Sequence, residues 1–401
     1  MNVLIADKFP ENRVEEIKAL GVEVTYDPTL GAADLVAAVK GVNVLVVRST
    51  QVTAEAIQAG GTLSLIIRAG AGVNTIDCAA ASERGTYVAN CPGKNSVAVA
   101  ELAMGLICAL DRRLPDNVAD LRAGQWNKAE YSKADGLLGK TLGVVGVGMI
   151  GREVIARAKA FGLAVVAWSR SLTPEKAEAL GVGFCATLDD LVPRCDIISL
   201  HLAQTAETKG LFSADLIGKM KDGAWLVNTA RAGVVDEDAL LAAVEAGRIR
   251  VGLDVVSDEP EGKTGPWSCR FKDLPGAYVT HHIGASTNQA QDAVAEETIR
   301  VLRTYMETGL VENWVNRCAT TPAHWQLVVR HFDRPGVLAN VLTEIKSADL
   351  NAEEITNVIF EGARAACCTI QLDKKPTDDT MAAIRARADE VISAELVDLT
   401  K

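Results

Sequence analysis

One hexapeptide constrains this chain more than any other feature. Gly146-Val147-Gly148-Met149-Ile150-Gly151 closes an apolar run that begins at Thr141 and opens an apolar-periodic run, 150–160. A G-x-G-x-x-G turn between a strand and a helix lets backbone amides approach a pyrophosphate at the helix N-terminus. Glycine is common in turns, so the spacing alone is weak; the strand before it and the helix after it give it meaning. The segment predicts a Rossmann-like domain that holds a dinucleotide through Gly146, Gly148, Met149, Ile150 and Gly151. At 401 residues the chain exceeds the roughly 250–300 that one hydrophobic core supports, so two or three domains are expected.

The rest of the chain repeats the strand–helix alternation. Short apolar strands are expected at 2–6, 23–26, 42–47 and 63–67, then at 141–147, 164–168, 197–200, 225–228, 251–254 and 278–280, with helical stretches between. That rhythm is α/β, two Rossmann-like doubly wound parallel-sheet domains. The polar, Pro-terminated stretch Asn316–Pro322 reads as a linker. Beyond it come a strand at 326–331, a helix opened by Asp333-Arg334-Pro335-Gly336, strands at 354–360 and 363–372, a helix at 378–388 and a strand at 395–399. The order βαββαβ is ferredoxin-like.

Charge and cysteine usage narrow the class. With 41 basic and 52 acidic residues the net charge is −11, and no basic tract offsets it, so nucleic acid is not an expected partner. The longest apolar stretch, 96–110, is broken by Glu101 and falls short of the ~18 residues a membrane span needs. The N-terminus reads as a strand with no charged leader. Nine cysteines without a C-x-x-C pair suit a reducing cytoplasm and suggest no metal site.

The strand after the fingerprint would end in Asp or Glu if the site read an unphosphorylated ribose. Here it runs into Ser169-Arg170-Ser171. An acid repels a 2′-phosphate, whereas an arginine and two hydroxyls accept one, so NADP(H) is favoured over NAD(H). The alternative is a solvated turn arginine beside a looser NAD site.

Three further segments follow strands of the same sheet, where ligands of open α/β sheets collect. They are Asn228-Thr229-Ala230-Arg231, then Asp254 through Glu259-Pro260, then His281-His282-Ile283-Gly284-Ala285-Ser286-Thr287. With the fingerprint, with Arg68-Ala69-Gly70-Ala71-Gly72-Val73-Asn74 and with Asn95 through Glu101, they resemble the D-isomer-specific 2-hydroxyacid dehydrogenases over residues 1–315. The small C-terminal domain points to the D-3-phosphoglycerate dehydrogenase branch. The resemblance implies a discontinuous substrate domain (1–95 and 286–316), a nucleotide domain (96–285) and a regulatory ACT domain (323–401). It implies a small anionic 2-hydroxy or 2-keto acid substrate and a homodimer or homotetramer.

Carried onto this chain, the family pattern makes His282 the general base, Glu259 its partner and Arg231 the grip on the substrate carboxylate. Chemistry agrees, since oxidising a 2-hydroxy acid needs a base with a pKa near working pH, and an adjacent carboxylate raises that of a histidine. Asp254 matches the residue that orients the nicotinamide carboxamide. Thr229, Ala230, His282 and Gly284 also face the cofactor, and amides at Ala71, Gly72 and Val73 hold the carboxylate. Arg48 and Arg68 match the substrate's phosphate side, Lys94 and Lys128 are weaker candidates for it, and Asn95 also faces the substrate. The expectation is that Arg48, Arg68, Arg170 and Arg231 cluster in one cleft. Two departures stand out: the 259–282 loop, with Trp267, is longer than usual, and His281 replaces the usual Pro.

The last segment resembles an ACT module through His331-Phe332-Asp333-Arg334-Pro335-Gly336 and Asn351. Serine-inhibited relatives bind L-serine across paired domains with His, Asn and Asn at these places, and here Asp333 stands for one Asn. The alternative is a purely oligomeric role. Rival functions are an NADPH-dependent glyoxylate or hydroxypyruvate reductase and a nucleotide-sensing corepressor-like scaffold.

Overall fold

The computed structural model describes residues 1–260 and 264–400. They form two units, Met1–Asn316 and one that starts at Arg317. In the first unit, β1 (Asn2–Ile5), β2 (Glu23–Tyr26), β3 (Val44–Val47), β4 (Leu65–Arg68) and β5 (Tyr87–Asn90) make one sheet in the order β2-β1-β3-β4-β5, all parallel. The Val/Leu/Ile runs of β3 and β4 are what a parallel sheet covered on both faces demands.

The second sheet has seven parallel strands. They are β6 (Thr141–Val145), β7 (Ala164–Trp168), β8 (Gly183–Phe184), β9 (Ile197–Leu200), β10 (Trp225–Asn228), β11 (Arg250–Leu253) and β12 (Ala277–Val279). Their order is β12-β11-β10-β9-β6-β7-β8. Chain order reverses between β6 and β9, the point at which open α/β sheets leave a crevice beyond their carboxyl ends. Both sheets are as the alternation predicts, with β5 and the two-residue β8 added.

Two helices tie the chain to the sheets. Helix Ser96–Arg112 buries Ala100, Ala103, Leu106, Ile107 and Leu110 against Leu142, Val144, Trp225 and Val227 of the second sheet. Helix Asn288–Thr308 returns to the first, where Val294, Ala295, Ile299 and Leu302 pack with Val3, Ile5, Val44 and Leu65. The chain thus crosses from one core to the other near residue 93 and back near 286. Residues 261–263 of the long loop lie outside the described residues. Its later part is fastened, with Trp267 Nε1 donating to the Asp258 carbonyl at 2.9 Å and Phe271 fully buried.

The unit from Arg317 holds β13 (Trp325–Phe332), β14 (Ala352–Ile359), β15 (Ala365–Leu372) and β16 (Val391–Asp398), antiparallel in the order β14-β15-β13-β16. Helices Val337–Ser347 and Asp378–Arg385 pack Val341, Ile345 and Ile384 onto Leu327, Val329 and Ile370. This is the ferredoxin-like order. One detail differs from expectation: Pro335 lies ahead of the first helix, because Gly336 at φ +90° occupies the left-handed region that no helical residue adopts. His331 and Asn351 sit at opposite ends of this sheet. Asn351 precedes β14 at the level of Trp325, six residues and roughly 20 Å along β13 from His331. The three residues expected at the serine site therefore do not converge within one chain. His331 is buried, its ring nitrogens beside Phe332 O (2.8 Å) and Asn357 Oδ1 (3.2 Å), while Asn351 Nδ2 donates to Glu353. Among the described residues, no helix is long and apolar enough to cross a membrane, and no group of three potential metal ligands occurs.

Candidate active site

The fingerprint turn has one job for each glycine. Gly146 sits at φ +97°, and a β-carbon there would stand 2.5 Å from the His201 carbonyl. A β-carbon on Gly151 would stand 2.1 Å from the Gly146 carbonyl, so only glycine lets the helix Met149–Ala160 pack this close to β6. Gly148 faces open space. Among the described residues, the amides of Val147, Gly148, Met149 and Ile150 donate to nothing, which leaves them for an anion at a helix N-terminus. Nearby, the buried hydroxyl of Thr229 and Nδ1 of His201 also have no partner. These orphan donors and acceptors fit a dinucleotide laid across the carboxyl edge of the sheet.

His201 is not a base. Its Nε2 lies 2.9 Å from Ser199 Oγ, and burial pushes its pKa down to about 4. His282 is placed differently. Its Nδ1 lies 2.8 Å from Glu259 Oε2, and because an ionised carboxylate only accepts, Nδ1 carries the proton and Nε2 is the free nitrogen. The bond to Glu259 raises the His282 pKa, against burial, and Asp254 adds to the rise. Burial alone would raise the Glu259 pKa, but His282, the Val256 amide and Arg231 together hold it below the usual carboxylate range.

The loop that presents His282 hangs on Asp254. This buried carboxylate accepts from Thr280 Oγ1 (2.6 Å) and from the amides of Ile283 (2.9 Å) and Gly284 (2.7 Å). Three of its about four lone-pair sites are thus spent on the turn in which His282 takes φ +51°. Asn228, also buried, does the same for Arg231: its Oδ1 accepts from the Ala230 amide at 3.0 Å and its Nδ2 donates to the Arg231 carbonyl at 3.0 Å.

Arg231, His282 and Glu259 line a cavity of about 700 Å³ with Arg48, Arg68, Asn95 and Lys8. The Arg231 guanidinium lies against Gly72, where a β-carbon would stand 2.8 Å from Nη2. Among the described residues, the amides of Ala71, Gly72 and Val73 donate to nothing, and Asn90 Nδ2 holds the loop by the Ala71 carbonyl at 2.6 Å. Burial, with Arg231 and Arg48 close by, pushes the Arg68 pKa down to about 10, and its Nε is buried without a partner. Asn95 Oδ1 is likewise unpartnered. Cations held this close, with none of them in an ion pair among the described residues, make a site for an anion.

Three expected cations lie elsewhere. Arg170 is exposed in the turn after β7 and does not line this cavity; the fourfold arginine cluster is a threefold one, because β7 lies beyond the fingerprint from β10. Lys94 is paired with the buried Glu297 at 3.2 Å, which also receives Arg300 and Asn313. Lys128 begins a short helix at a separate hollow around Trp126. Sequence reasoning missed Lys8 and gave Asn228 no role, although Lys8 follows a strand of the first sheet just as Arg48 does.

Comparison with known proteins agrees with this geometry. The family profile "D-isomer specific 2-hydroxyacid dehydrogenase, NAD binding domain" matches residues 104–284. A hydroxypyruvate reductase of Thermotoga maritima is 42% identical over 292 residues, 72% of this chain and 92% of that protein. The chain belongs to the D-isomer-specific 2-hydroxyacid dehydrogenase family. A D-3-phosphoglycerate dehydrogenase of Methanocaldococcus jannaschii is 36% identical over 367 residues, 90% of this family member but 65% of its own length. This dehydrogenase-family chain thus spans under two thirds of that relative. A solved NAD+-bound 3-phosphoglycerate dehydrogenase of Entamoeba histolytica superposes with TM-score 0.66 and 27% identity, covering 79% of this chain and 99% of that one. The matched profile is an NAD-binding domain, which supports a nicotinamide cofactor for this chain.

Proposed function

We propose that this enzyme interconverts D-3-phosphoglycerate and 3-phosphohydroxypyruvate. The observation that carries the reading is the surplus of cations beside the catalytic pair. A bare 2-hydroxy acid needs one guanidinium, Arg231, yet Arg68 and Arg48 share the cavity. The match to the archaeal phosphoglycerate dehydrogenase supports it too. At 90% of the chain it extends past Asn316, since the first unit is 316 of 401 residues.

In the forward direction Arg231 and the amides of Ala71, Gly72 and Val73 fix the carboxylate, which orients the carbinol carbon. His282 Nε2 accepts the hydroxyl proton while Glu259 stabilises the imidazolium that forms. Gly148, Thr229 and Asp254 would hold the nicotinamide cofactor, which would supply the hydride acceptor. In reverse, protonated His282 returns the proton to the carbonyl oxygen. Ser169, Arg170 and Ser171, with no acid among them, support NADP(H) as the preferred cofactor. The C-terminal unit is read as an ACT-type sensor of L-serine in a cytoplasmic homo-oligomer, with His331 and Asp333 of one copy facing Asn351 of another. A flat serine titration of activity would remove that role.

A second reading, hydroxypyruvate or glyoxylate reduction, is favoured by the 42% identity to the Thermotoga maritima enzyme. Reduction of 3-phosphohydroxypyruvate, hydroxypyruvate and glyoxylate, each with NADH and NADPH, separates the two. The phosphate ester should have the highest kcat/KM; fastest turnover of an unphosphorylated acid would replace the first reading with the second.

A further inference from the structure

A fourth cation stands in the cavity, and its position in the sheet says what it is for. Arg68 ends β4, Arg48 follows β3, and Lys8 follows β1; these three strands are neighbours, β1 beside β3 and β3 beside β4. Neighbouring strands lie about 4.8 Å apart, so the three cations step outward along one sheet edge. Arg231 stands at the inner end, since its guanidinium lies against Gly72 in the loop that follows β4. Lys8 is the outermost step.

The turn that carries Lys8 is built to hold it there. Asp7 and Phe9, on either side, are buried. Asp7 Oδ2 accepts the backbone amides of Arg48 (2.7 Å), Ser49 (2.9 Å) and Thr50 (2.9 Å), which joins the Lys8 turn to the Arg48 turn. The Tyr26 hydroxyl lies 3.3 Å from both the amide and the carbonyl of Phe9. Between these anchors Lys8 is exposed and lines the cavity. Among the described residues it makes no ion pair, and Oδ2 of its acidic neighbour is taken by three backbone amides.

We propose that Lys8 is a specificity residue that binds the distal anionic group of the substrate, at the opposite end of the cation row from the Arg231 carboxylate grip. This deepens the function proposed above, with the phosphoryl group as the distal anion. A substrate with a single carboxylate does not reach Lys8, so Lys8 discriminates by length and second charge.

The test is steady-state reduction of 3-phosphohydroxypyruvate and hydroxypyruvate by the full chain and its Lys8→Met and Lys8→Arg variants. Lys8→Met should lower the ratio of kcat/KM for the phosphate ester over the unphosphorylated acid about tenfold, through KM rather than kcat, the scale of one half-screened charge pair. Lys8→Arg should restore most of the ratio. A ratio that stays put, or a fall in kcat alone, overturns the assignment. If the wild type shows no preference for the phosphate ester, the proposed function fails, and Lys8 is judged separately with inorganic phosphate as a competitive inhibitor. Inhibition about tenfold weaker in Lys8→Met supports it as an anion site; equal inhibition in both overturns it.

Discussion

Glu259 Oε2 lies 2.8 Å from Nδ1 of His282, a pairing that fixes which ring nitrogen works and at what pH. Because Glu259 raises the His282 pKa, oxidation should lose kcat/KM as pH falls through a value above the ordinary 6.5, where Nε2 becomes protonated. Reduction should show the mirror image, falling as pH rises through the same value. Glu259→Gln should move both limbs to lower pH, because the negative charge that holds the proton is gone. Paired pH profiles of the two directions check this; limbs that do not move would show that Glu259 does not tune the base.

Arg231→Lys keeps the charge and removes the planar fork. Lysine cannot reproduce two parallel bonds to a carboxylate, so kcat/KM should fall roughly a hundredfold with little change in melting temperature. Steady-state kinetics and a thermal melt together read this.

Gly284→Ala tests the loop anchor. The new β-carbon would stand 2.9 Å from Asp254 Oδ2, the atom that accepts the Gly284 amide. The turn must shift and carry His282 with it, at about 1–2 kcal/mol of stability and roughly a hundredfold in kcat. Unaltered kcat would mean the turn does not position the base.

Glu297 sets an acid limit on stability. Its bond from Arg300, helped by Asn313 and Lys94 and opposed by burial, holds its pKa down to about 2 against an ordinary 4.5. A depressed carboxylate contributes stability that is complete above 4.5, falls as pH drops, and is gone below about 2. Glu297→Gln should cost about 2 kcal/mol at neutral pH and flatten the melting-temperature profile between those limits.

Much of this site is legible in the sequence because its chemistry sits at strand ends. The fingerprint, Arg231 and Asp254 each follow a run of largely buried apolar residues and His282 follows the short, half-buried β12, and a parallel sheet brings such ends to one edge. What is not legible depends on which strands are neighbours and where side chains turn. Lys8 belongs beside Arg48 only because β1 pairs with β3. Lys94 looks like a cleft cation from its place next to Asn95, yet Glu297 on a distant helix claims it. Asn228 looks like part of a motif, and its use as a staple for Arg231 emerges only from its two hydrogen bonds.

The most direct test of the account is kcat/KM for oxidation of D-3-phosphoglycerate against D-glycerate, measured with NAD+ and NADP+ on the wild-type chain. The account predicts a preference for the phosphate ester of about a hundredfold or more, since cations of the cleft left without their anion penalise the smaller acid. Equal turnover of the two acids, or turnover of D-glycerate alone, would contradict it.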